Sequence, residues 1–118
     1  KFMAEIIVDN NVLKDVIADV TIVSDAIGFN IVNKHLSVVG KGDVNSVNSE
    51  VDAIILCDDD VTFMSKYAIE YLDKFTATKI SKNVKLGLGK DYPIKFSYIN
   101  DKGTISMVFI LAPRISND

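Results

Sequence analysis

Apolar and polar residues alternate at the start of the chain. Phe2, Ala4, Ile6 and Val8 share one parity, the period of a β-strand. Asp9, Asn10 and Asn11 follow, and all three are good helix caps. Leu13, Val16, Ile17 and Val20 then fall at i, i+3, i+4 and i+7, one face of a helix. The β-branched residues in it have modest helix propensity, so packing must hold it in place. Three strand candidates come next. Ile27, Phe29 and Ile31 alternate up to a turn at Asn33-Lys34. Leu36 and Val38 alternate up to a second turn at Gly40-Lys41-Gly42-Asp43. Residues 44–51 form a weaker strand, rich in Asn and Ser.

The order then repeats. Residues 53–57 are apolar on both parities, a strand covered on both faces. Asp58-Asp59-Asp60 leads toward a second helix with a face of Ala68, Tyr71, Leu72 and Phe75. Strands follow at 84–88, 94–99 and 104–111, with turns at Gly89-Lys90-Asp91 and Asn100-Asp101-Lys102-Gly103. This is one domain over residues 1–118, with internal units of about 1–50 and 51–118. The pattern predicts an α+β fold: two β-α-β-β-β units whose antiparallel sheets carry two helices on one face. The last strand stops at Ala112-Pro113, because proline offers no N–H to a ladder and keeps the preceding residue extended. A straight tail bearing Ile115 continues beyond it.

Composition narrows the function. The chain has 118 residues, 48% hydrophobic and 25% charged, the balance of a single globular domain with a real core. No apolar run approaches the roughly 18 residues of a membrane helix. Glu5 interrupts the short apolar start, so it lacks a signal-peptide shape. The chain does not begin with methionine, so the expectation is a trimmed chain or a piece of a longer one. Cys57 is the only cysteine and cannot form an internal disulfide, which fits a reducing, intracellular compartment. The net charge is −3, so any contact with nucleic acid must rest on locally placed lysines.

The pattern holds no catalytic constellation. His35 is the only histidine, and no nucleophile or orienting partner accompanies it. Asp58-Asp59-Asp60 lacks the spaced ligands and glycine of a calcium loop. Gly87-Leu88-Gly89 lacks the third glycine and following helix of a dinucleotide site. Cys57 reads as a small core residue. The expectation is no enzyme, no metal and no cofactor.

Two stretches are more specific than a pattern. One is Lys66-Tyr67-Ala68-Ile69-Glu70-Tyr71-Leu72, expected at the second helix. The other is Asp91-Tyr92-Pro93-Ile94-Lys95-Phe96, followed after a long hairpin by Leu111-Ala112-Pro113-Arg114-Ile115. With Ser24-Asp25 after the first helix, this ordered set resembles the C-terminal half of the DNA sliding clamp, proliferating cell nuclear antigen (PCNA), in its archaeal and eukaryotic form. The resemblance covers the whole chain. It implies a ring whose subunits each hold two such domains, with helices inside and sheets outside. It also implies a non-enzymatic DNA polymerase processivity factor that encircles duplex DNA without sequence specificity. DNA polymerase and other clients carrying a clamp-binding peptide, a clamp loader, and other clamp subunits in a homo- or heterotrimeric ring are the partners implied. The resemblance implies no membrane partner. The implied location is intracellular: cytoplasm or nucleoid for an archaeal protein, nucleus for a eukaryotic one.

The resemblance also implies site residues. Lys14, Lys66, Lys74, Lys79 and Lys82 would face DNA. Asp15, Ala18 and Glu70 stand where many relatives carry basic residues, and Asp19 and Asp73 add negative charge. Pro93, Ile110, Ala112, Pro113 and Ile115 would form the pocket for a client peptide, with Ile110 where an aromatic is common. Other walls of that pocket belong to the absent half, so this chain alone should bind such a peptide weakly. Val44, Ser46, Val47 and Ser49 would lie on the subunit-interface strand. The acidic helices favour a different reading, a stand-alone α+β protein-interaction module with no DNA role.

Overall fold

A computed structural model describes residues 2–104 and 106–114 of the chain. Strand β1 (Ala4–Asp9) runs directly into helix α1 (Asn10–Val23). Asp9 makes the junction. Its carboxylate accepts the N–H of Asn11 at 2.8 Å and of Val12 at 3.3 Å, two donors that a helix start leaves unpaired. Leu13, Ile17 and Val20 are buried as their spacing predicts, and so is Asn10. Strands β2 (Ala26–Val32) and β3 (His35–Lys41) form a hairpin closed by Asn33-Lys34. Both turn residues have positive φ, 52° and 59°, the backbone whose twist suits a two-residue hairpin. Strand β4 (Ser46–Val51) completes the meander. It is shorter than expected, since Val44 stays in the preceding loop at 93% exposure.

The second half departs from the expected order. Strand β5 (Ile54–Leu56) is followed by a further strand, β6 (Phe63–Ala68), before helix α2 (Ile69–Phe75) begins. Lys66 and Tyr67, expected at the helix, therefore lie in a strand. Their neighbours alternate: Phe63, Ser65 and Tyr67 are buried, while Met64 and Lys66 are exposed. Pairing with β2, from Ile31↔Phe63 to Ala26↔Ala68, holds these residues extended, so the helix starts only at Ile69. Its buried residues are then Ile69 and Leu72, and Tyr71 turns outward at 46% exposure. Strands β7 (Asn83–Leu88), β8 (Ile94–Ile99) and β9 (Ser106–Leu111) close the chain.

The strands form two antiparallel sheets, in the orders β5-β1-β7-β8-β9 and β4-β3-β2-β6. The two β-α-β-β-β runs interlock. β1 pairs with β7, the strand after α2, and β6 pairs with β2, the strand after α1. Each helix thus carries the chain from one sheet to the other. β5 is an addition on the free side of β1. This is the α+β architecture expected from the sequence, with β6 as the leading strand of the second run.

Inward side chains of both sheets and both helices meet in a single core cluster. Helix α1 lies so close on β3 that a Cβ on Gly40 would run into Val20. Asn10 is a polar node within this core. Its amide donates to the Thr76 carbonyl at 3.0 Å, and its amide oxygen accepts the Tyr98 hydroxyl at 2.8 Å. Burial pushes the Tyr98 phenol well above its ordinary pKa. Among the described residues, no helix is long and apolar enough to cross a membrane.

Candidate functional site

β8 and β9 end together. Ile94 pairs with Leu111 and Lys95 with Ile110, so Pro93 and Ala112 each stand one residue beyond the last pair. Ile94, Phe96 and Tyr98 are buried in the core, and the intervening parity, including Lys95 and Ile110, faces away from it. Ile110 is 64% exposed, a large apolar side chain presented to solvent. The same row crosses the sheet from Lys95 to Gly87 and on to Glu5. Gly87 is buried because the ring of Phe2 lies over it, where a Cβ would come within 2.7 Å of the ring. Phe2 meets Tyr92 edge-on at 5.7 Å. The Phe2 ring thus lies on the outer face and does not continue the inward row of Ala4, Ile6 and Val8. Phe2, Tyr92, Pro93, Ile110, Ala112 and Pro113 gather at one end of the sheet. Ile115, expected among them, lies outside the described residues.

β6 supports this end of the molecule with two adjacent residues. The Tyr67 hydroxyl donates to the Tyr92 carbonyl at 2.6 Å and pins the Tyr92-Pro93 corner. The phenol is held above its ordinary pKa, chiefly by burial. The Lys66 carbonyl accepts the N–H of Arg114 at 2.7 Å, so the tail crosses from β9 in one sheet to the edge of the other. The Arg114 guanidinium pairs with the Asp25 carboxylate at 3.2 Å. Sequence reasoning missed Phe2, Tyr92 and the part played by Tyr67. A glycine between Leu86 and Leu88, inside a strand, was the signal that something packs closely there.

The lysines divide into two places. Lys14 is exposed on α1, and Lys74 stands in the last turn of α2, 5.9 Å from the centre of the Tyr71 ring. Lys79 and Lys82 follow α2 and, with Thr78 and Ser81, line a cleft against Asn10 and Asn11 at the start of α1. Lys66 is not with them, since β6 turns it to the outer face of the four-stranded sheet. Asp15, Asp19, Glu70 and Asp73 are exposed on the two helices.

Among the described residues β4 pairs only with β3, which leaves its other side open. Val47 and Ser49 are half-buried on its inward parity, Ser46 is exposed, and Val44 lies outside the strand. β9 is also an edge, with Met107, Val108 and Ile110 exposed. A groove of about 350 Å³ lies elsewhere, on the outer face of the four-stranded sheet around Gly28, Val39 and Met64. It touches none of the residues gathered around Pro93. Asp59 forms an exposed ion pair with Lys34 at 3.0 Å. Among the described residues, no group of three or more His, Cys, Asp or Glu could hold a metal ion.

No family model matches the chain. Individual proteins do. It is 27% identical over 117 residues to the DNA polymerase sliding clamp of Methanocella arvoryzae, covering 97% of this chain and 48% of that protein. It is 30% identical over 120 residues to DNA polymerase sliding clamp 1 of Thermococcus kodakarensis, covering 97% and 47%. It is also 30% identical over 119 residues to the DNA polymerase sliding clamp of Methanococcoides burtonii, covering 98% and 48%. The chain spans about half the length of the curated relatives it matches. Among solved structures, it superposes with a TM-score of 0.86 on a chain of the complex described as the C-terminal region of FEN-1 bound to A. fulgidus PCNA. That match is 25% identical and covers 100% of this chain and 49% of the other. In sequence and in fold alike, the chain resembles a domain of an archaeal, PCNA-type DNA sliding clamp.

Proposed function

We propose that this chain is the C-terminal half of a two-domain sliding-clamp subunit, part of a ring that encircles duplex DNA and serves DNA polymerase as a processivity factor. Client proteins dock by a short peptide on Pro93, Ile110, Ala112 and Pro113. What supports the reading most is the gathering of these residues, with Phe2 and Tyr92, at one end of β8 and β9 in a chain that matches archaeal sliding clamps along 97% of its length. An apolar wall suits the aromatic and aliphatic anchors of a peptide. The extended tail offers backbone groups for strand-like pairing.

In this reading Lys14, Lys74, Lys79 and Lys82 contact phosphates without engaging bases, which gives salt-sensitive binding that permits sliding. Lys66 leaves the set because it stands on β6. The open edges of β4 and β9 take strands from the neighbouring subunit and from the other half of the same subunit. A clamp loader belongs to the same picture. A synthetic peptide from the C-terminal region of FEN-1, titrated into the chain and followed by NMR, tests the docking site. The expected result is weak, saturable binding that shifts the resonances of Phe2, Lys95, Ile110 and Ala112 and disappears in Ile110→Asp. Binding that ignores those residues, or none at millimolar peptide, overturns it.

The exposed Asp15, Asp19, Glu70 and Asp73 favour a second reading, an interaction module with no DNA role. Retention on closed circular DNA by the subunit reunited with its other half, lost when the DNA is linearised, decides for the clamp. Absence of retention decides for the module.

A further inference from the structure

We infer that Asp25 is a positioning residue for the peptide site: through Arg114 it holds the tail, residues 112–114, on the course that presents it to a bound peptide. The inference rests on the docking reading above. Asp25 lies in the two-residue connection between α1, which ends at Val23, and β2, which starts at Ala26. Its backbone is fixed from both sides. The Ser24 hydroxyl oxygen accepts the N–H of Ala26 at 3.1 Å, and the Asp25 carbonyl accepts the N–H of Ile69 at 3.0 Å. Ala26 itself is paired with Ala68. The side chain, by contrast, is 87% exposed and reaches outward to Arg114 at 3.2 Å.

Arg114 is therefore attached at two points of one rigid corner: its guanidinium to Asp25 and its N–H to the Lys66 carbonyl on β6. Only Ala112 and Pro113 separate it from Leu111, the last residue of β9. Both are pocket residues, and Pro113 has no N–H to anchor the span itself. Fixing Arg114 thus fixes the far end of the segment on which the peptide lies. A segment ordered in advance loses less entropy when a peptide binds. An ion pair this exposed contributes little to global stability. Its effect belongs in tail order and peptide affinity, leaving the melting temperature unchanged.

Amide exchange at Arg114 in the free chain, and affinity for the FEN-1 C-terminal peptide, test this together. Asp25→Ala should speed Arg114 exchange and weaken the peptide by up to about fivefold, with the melting temperature unchanged. The difference from wild type should shrink near 1 M salt, where screening acts over about 3 Å. The charge swap Asp25→Arg with Arg114→Asp should restore both readouts. Wild-type binding with exchange and affinity unmoved by Asp25→Ala, or no recovery in the swap, overturns the inference alone. If the wild type binds no peptide, the docking reading falls and the positioning role falls with it.

Discussion

Asn10 sits where the first helix, the end of the second helix and β8 meet. It donates to the Thr76 carbonyl and accepts from Tyr98, and all three residues are buried. Asn10→Ala would leave the phenol and the carbonyl without these partners, at an expected cost of about 2–3 kcal/mol, measurable by urea unfolding. The phenol also ties stability to pH. Burial raises the folded-state pKa of Tyr98, whereas an unfolded tyrosine ionises near about 10. Above that pH the unfolded chain releases a proton that the folded chain keeps, so stability falls as pH rises. Below it the contribution is fully present. Tyr67 acts in the same direction. Tyr98→Phe should flatten the decline of unfolding free energy between about pH 9 and 11, relative to wild type.

β6 is the element on which the site depends, and it is the one hardest to read locally. Its inward positions are Phe63, Ser65 and Tyr67, so a serine interrupts the apolar alternation. Ala68, Tyr71, Leu72 and Phe75 meanwhile fit helical spacing and draw the expected helix back into the end of this strand. Helix α2 has seven residues, too short to hold itself without packing. The pairing with β2 therefore decides where strand gives way to helix. β6 then supplies Tyr67 to the Tyr92-Pro93 corner and Lys66 to the tail. Tyr67→Phe removes the 2.6 Å bond to the corner while keeping the ring in the core. The expected outcome is a loss of about 1 kcal/mol in stability and weaker peptide binding, checked by thermal unfolding and NMR titration. By contrast α1 and the Asn33-Lys34 hairpin were legible in full, because their signals lie within a few residues of each other.

At the scale of the molecule, two sheets end in open strands. β4 is largely polar, but β9 exposes Met107, Val108 and Ile110 on an edge that no strand covers among the described residues. Such edges recruit other strands. The chain should self-associate as its concentration rises, seen as an increasing weight-average sedimentation coefficient. Val108→Lys, on the exposed parity of β9, should reduce that association, and monomeric behaviour at high concentration would count against edge pairing. By itself, the sequence determined the α+β class, the turns, the first helix, and the Tyr-Pro and Leu-Ala-Pro segments with the family they resemble. Each of these rests on residues close together in the chain, where period, caps and turn chemistry act directly. Only the tertiary structure decided that Lys66 belongs to a strand, that Phe2 covers Gly87, and that Asp25 meets Arg114. Those facts depend on groups far apart in sequence, brought together when β6 adds to β2 and the tail crosses between the sheets.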